Sequence, residues 1–156
     1  MKTTMKKIAA IVLVGATVLS LAACSKKAKA LTADEFKSKM EAEGYTVTDA
    51  STDAESGASI ISAGNEDGSV GFALAQFADK DAAKEYFEQV KAFADLAKSF
   101  DASADVSTSS SKVTVKSSDS YSVMILAGNT MVTATAEPAS DENIDAAKKG
   151  LKALGY

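Results

Sequence analysis

Residues 121–136 read Tyr-Ser-Val-Met-Ile-Leu-Ala-Gly-Asn-Thr-Met-Val-Thr-Ala-Thr-Ala. Two runs of strand-forming residues flank Gly128-Asn129. Glycine in first place of a two-residue turn suits the type II′ hairpin, whose twist matches that of the strands. The turn fixes the register: Ile125 opposes Val132, Val123 opposes Ala134, and Tyr121 opposes Ala136. Period-two alternation places these six on one side, the expected core face. The other side carries Met124, Leu126 and Met131, with Leu126 across from Met131. A sheet covered on one side only would show polar residues there. These three are therefore candidate partner contacts, as an apolar patch on a sheet marks a protein, peptide or small apolar ligand surface; burial beneath another segment, such as residues 24–31 or 101–111, is the competing reading.

An earlier hairpin has the same character. Ser59–Gly64 is expected to pair with Ser69–Phe77 around Asn65-Glu66-Asp67-Gly68, opposing Ile61 to Phe72 and Ala63 to Val70. Residues 45–48 and 112–116 read as further strands. Residues 49–58 and 101–111, rich in Ser, Ala and Asp, read as loops.

Three helices complete the pattern. The first is expected over 33–43, with Thr32 and Glu35 forming a capping box and Gly44 ending it. The second covers about 80–98 behind Asp79, with Ala83, Phe87, Val90, Ala94 and Ala97 at helical spacing and Tyr86 and Phe93 widening the stripe. The third, about 141–154, presents Ile144, Ala147, Leu151 and Leu154. Ala63-Gly64-Asn65 recurs as Ala127-Gly128-Asn129, and Asp81-Ala82-Ala83-Lys84 as Asp145-Ala146-Ala147-Lys148, both 64 residues on. The expected fold is α+β: one antiparallel sheet of about six strands with helices on one face, in two βββα halves after a leading helix.

Composition narrows the chemistry. The 156 residues include no His and no Arg, and one Cys. The commonest general base and zinc ligand is missing, as is the bidentate phosphate grip. One Cys makes neither an internal disulfide nor a thiolate cluster. A pI near 4.9 argues against nucleic acid as partner. Nothing implies a cofactor.

Ser109-Ser110-Ser111-Lys112 matches a Ser-x-x-Lys spacing, but that chemistry needs a helix start, and this stretch enters a strand. Counted from Asp49, an EF-hand would need Gly and Glu where Ala54 and Ile60 stand. Asp79 and Asp81 suit a helix start, and Glu88 can pair with Lys91. A cell-envelope enzyme working through carboxylates or a Ser/Lys pair is the alternative to a binding module. It requires a cleft that gathers two or more of Asp49, Asp53, Asp101, Asp105 and Lys112.

Charge is divided along the chain. Residues 1–29 hold six Lys and no acid, whereas 30–156 hold eleven Lys and 21 acids, a formal −10. Lys2, Lys6 and Lys7 precede an uncharged apolar run, Ile8–Leu21, that is short for a span of a bilayer of about 30 Å. The run ends Leu21-Ala22-Ala23-Cys24. Here the chain resembles bacterial lipoproteins, whose lipobox reads Leu, two small residues, then Cys. The Lys-rich stretch after Cys24, the Gly-Tyr after the first helix and the closing Gly155-Tyr156 are also similar to small lipoproteins of Gram-positive bacteria.

The resemblance implies a signal peptide over 1–23, diacylglyceryl attachment at Cys24, a tether over 24–31 and a single domain over 32–156. It implies anchorage on the outer side of the cell membrane. Two acyl chains hold stably where one is marginal, at roughly 0.8 kcal/mol per buried CH₂.

Overall fold

The computed structural model describes residues 28–53 and 57–156. The expectations for the signal peptide, Cys24 and the first half of the tether lie outside the described residues. The elements are α1 (Ala33–Ala42), β1 (Thr46–Thr52), β2 (Ser59–Gly64), β3 (Val70–Gln76), α2 (Lys80–Phe100), β4 (Asp105–Thr108), β5 (Lys112–Lys116), β6 (Tyr121–Ala127), β7 (Thr130–Ala136) and α3 (Asp141–Leu154). The seven strands form one sheet in the order β1-β2-β3-β7-β6-β5-β4, every neighbouring pair antiparallel. The class is α+β, as expected.

The helix starts are set by local chemistry. Thr32 Oγ1 accepts from Glu35 N at 3.2 Å, and Thr32 N donates to Glu35 Oε2 at 3.0 Å, closing the capping box. Asp79 Oδ1 accepts from Asp81 N and Ala82 N, both at 2.9 Å. Ser140 Oγ accepts from Asn143 N at 3.2 Å. The β6–β7 hairpin has the expected register, Ile125 with Val132 and Tyr121 with Ala136. Gly128 at its turn has φ 65°, open to glycine at little cost.

The β2–β3 hairpin differs from expectation by two residues: Ile61 opposes Leu74 and Ala63 opposes Phe72. The turn runs through Val70 because side chains organise it. Asn65 Oδ1 accepts from Val70 N at 2.9 Å, and Asp67 Oδ1 accepts from Ser69 N at 2.8 Å. A shift of two leaves every side chain on its expected face.

Two further differences concern the edges. β1 continues to Thr52, with a register irregularity between Thr48 and Ser51. Residues 105–108, expected in a loop, form the edge strand β4 paired with β5.

The helices do not share one face, which corrects the expectation. α1 and α3 pack on the side bearing Ile61, Phe72, Leu74, Val123, Ile125 and Val132. Alternate residues of the same strands, among them Ala75 and Met131, belong with Phe87 and Ala94 of α2 on the other side. The chain passes from β3 to α2 through three residues, of which the first is Phe77. Phe77 is buried on the α2 side, its ring 5.3 Å from that of Tyr86. The two βββα halves therefore share strand order and strand facing, β4 apart, but their helices close opposite faces. On the α3 side, Gly150 admits the Phe72 ring: a Cβ there would stand 2.2 Å from Phe72 Cζ. Phe72 also meets Tyr45 edge-on at 4.8 Å.

Candidate functional site

The face expected to be exposed is covered by α2, so the proposed patch does not exist as a unit. Met131 is 6% exposed and lies in the α2-side core. Met124 and Leu126 are half-buried against the same core. A sheet with apolar residues on both faces is a sheet covered on both faces. The cover is α2, rather than the tether or the 101–111 segment.

Coverage is incomplete, and the gap is the candidate site. Between α2 and the β5–β6 part of the sheet runs an apolar groove of about 520 Å³. Tyr86, Val90 and Phe93 form its helical wall; Val115 and Met124 form its floor. Phe93 is 75% exposed although it belongs to the stripe that faces the sheet. Leu96, one turn along, is 53% exposed. Of the three predicted contacts, only Met124 reaches the groove. The sequence signal for the rest was Phe93, visible as a widening of the α2 stripe.

A second, more polar cleft of about 630 Å³ lies at the β6–β7 turn, where Leu126 meets Lys80, Lys84, Ser110 and Asn129. Asn129 is held there by Phe77, which donates N–H to Asn129 O at 2.9 Å and accepts from Asn129 Nδ2 at 3.1 Å.

The described half of the tether is part of the body. Leu31 is 4% exposed in the α1–α3 core, and Ala28 packs against that core. Tyr156 Oη donates to Lys29 O at 2.7 Å. Burial, with the nearby Glu35 carboxylate, pushes the Tyr156 phenol up to about 12. Glu35 itself is held below the usual carboxylate range, chiefly by the Thr32 N–H and then by Lys29 at 3.1 Å.

The polar residues weighed for catalysis have structural work. Ser109 shapes the β4–β5 turn: its Oγ accepts from Lys112 N at 3.0 Å and donates to Lys112 O at 3.2 Å. Asp101 accepts from Ser103 Oγ at 2.6 Å and Ser103 N at 2.9 Å, and these bonds lower its carboxyl below the usual range. Glu88 pairs with Lys91 at 3.0 Å. Asp49 and Asp53 belong to the β1 edge of the sheet, whereas Asp105 and Lys112 lie on β4 and β5 at the other edge. Six strand spacings separate β1 from β4, roughly 29 Å. Asp105 and Lys112 also stand at opposite ends of their hairpin. Of these residues, a smaller cleft beside Tyr156 includes Lys112 alone, and the two clefts above include none. Nor do the described residues include a group of three or more Cys, Asp or Glu placed to hold a metal ion.

No helix among the described residues is long and apolar enough to cross a membrane. Set against known proteins, the chain matches no family model, no curated protein and no solved structure.

Proposed function

We propose that the protein is an extracytoplasmic lipoprotein, held to the membrane through a diacylglyceryl group on Cys24, whose folded body is a non-catalytic binding module. The groove beneath α2 is its binding site, for a small apolar ligand or an apolar side chain of a peptide. The observation that carries this reading is the groove, with Phe93 standing at its mouth. Burying a large aromatic against a ligand recovers roughly 25 cal/mol per Å² of apolar surface removed from water. Met124 supplies an adaptable, polarisable floor. The anchor reading is supported by Leu21-Ala22-Ala23-Cys24 behind a Lys-bearing apolar run.

Two measurements test it. Titration with a neutral naphthylamine dye should give a saturable fluorescence rise that Phe93→Ser abolishes while leaving the thermal midpoint nearly unchanged. A dye response equal in the variant removes the groove as the site. In the native cell, Cys24→Ala should accumulate as an unprocessed, unlipidated precursor. If that variant matures and remains in the membrane fraction, the anchor is elsewhere.

A further inference from the structure

The two ends of the sheet differ in charge, and the chain enters at one of them. The β6–β7 turn, the β4–β5 turn, the first turn of α2 and the carboxyl-terminal Tyr156 all lie at the same end. Ala28 sits between them. It borders the cleft that contains Lys80 and Lys84, and it borders a smaller one of about 250 Å³ that contains Lys112 and Tyr156. Acids share this end: Asp81 lines the cleft with Lys80 and Lys84, Asp79 caps α2 and Glu35 pairs with Lys29.

The other end is acidic. Glu66 and Asp67 in the β2–β3 turn, Asp119 before β6, and Glu137, Asp141 and Glu142 around the start of α3 gather there. Backbone bonds tie these loops together, Glu137 N to Ser69 O at 2.8 Å and Ala139 N to Asp119 O at 2.9 Å.

Chain length turns this polarity into an orientation. Ala28 is fixed to the body, and Cys24 is four residues before it. Four extended residues reach at most about 14 Å. An anchored Cys24 therefore keeps the Ala28 end within that distance of the lipid-bearing residue, about twice the depth of one headgroup layer.

We infer that this end of the sheet is a membrane-docking surface for anionic phospholipid headgroups, met by Lys80, Lys84 and Lys112, with the acidic end directed away from the bilayer. The inference rests on the acylation of Cys24 proposed above. Charge and tether act in the same sense: an anionic surface attracts lysines held within about a Debye length of it, roughly 10 Å, and the acidic loops lie a strand length farther out. The groove beneath α2 then opens sideways, parallel to the membrane.

The test uses the native lysines, so no variant has to fold. The mature, lipidated chain is placed in phosphatidylglycerol vesicles and in phosphatidylcholine vesicles. Each lysine's acetylation rate by a water-soluble reagent is read by mass spectrometry and compared with that of the unlipidated chain in solution. Lys80, Lys84 and Lys112 should slow several-fold on phosphatidylglycerol, and less on phosphatidylcholine, while Lys116 and Lys149 keep their solution rates. Uniform rates, or protection of Lys116 and Lys149 instead, overturn the orientation. Equal protection on the two lipids overturns the role of headgroup charge. The mass of Cys24 reports the anchor separately. Should its thiol prove unmodified, the same chain coupled through Cys24 to a maleimide lipid yields the lysine pattern that decides the orientation.

Discussion

The two faces of the sheet are closed to different degrees. On one, α1 and α3 lie side by side over the strands, and Phe36, Met40, Leu74, Val123 and Val132 are wholly buried between them. On the other, α2 alone covers the half of the sheet from β7 to β4. A helix with its side chains is about 10–12 Å wide, whereas four strands span about 15 Å between their outer axes. The strip that one helix leaves open is the groove, and its lining residues Tyr86, Val90 and Met124 are half-buried for that reason. A second helix makes a core; its absence leaves a groove.

The contrast can be broken most severely in the closed face. Phe36→Ala should cost about 3–5 kcal/mol, since the cavity lies between two helices and a sheet and has little room to collapse. Phe87→Ala, equally buried beneath α2, should fall at or below the lower end of that range, because the open strip lets neighbours and water move in. Urea unfolding of the two variants measures the difference, and equal losses would mean that the faces are equally tight. A smaller effect is expected at Gly150. Alanine there gains about 1 kcal/mol of helix propensity but collides with the Phe72 ring, and overpacking costs about 1–3 kcal/mol. Gly150→Ala should therefore destabilise, and a rise in the thermal midpoint would show that the ring yields freely.

Smaller again is the alkaline response of the closed face, where Tyr156 joins it to Lys29. Burial favours the neutral phenol, so its folded value of about 12 stands above the usual value of about 10. The contribution of this group is complete below pH ~10 and disappears as pH rises through ~12. The thermal midpoint should fall between those values more steeply in the wild type than in Tyr156→Phe; Tyr45 and Tyr121, both raised by burial, titrate in either protein and cancel. Identical slopes would place Tyr156 in water. Phe93→Ser on the open face stands last, with a stability change within about 0.5 kcal/mol and its whole effect on dye binding.

Where structure is set by neighbours in sequence, it was legible. Thr32 with Glu35, Asp79 and the Gly128-Asn129 turn each specify an element through contacts a few residues apart, and α1, the start of α2 and the β6–β7 register follow them. The β2–β3 register slid because its turn is closed by the Asn65 and Asp67 side chains, whose bonds have no signature in hydrophobic period. β4 has one buried apolar residue, Val106, among polar ones, and its place comes from pairing with β5. The side taken by α2 is a tertiary choice made at Phe77. Its trace in the sequence was the apolar character of Met124, Leu126 and Met131 on what looked like the wet side of a hairpin. The groove was the least legible feature, since it depends on the width of one helix against four strands.

The sheet's rims carry a last consequence. β1 breaks register midway along its length, and β4 is four residues long with Asp105, Ser107 and Thr108 turned to solvent. A rim that is bent, or short and polar, is a poor template for another chain's backbone. Copies crowded side by side find no long, straight rim among the described residues along which one sheet could extend readily into the next.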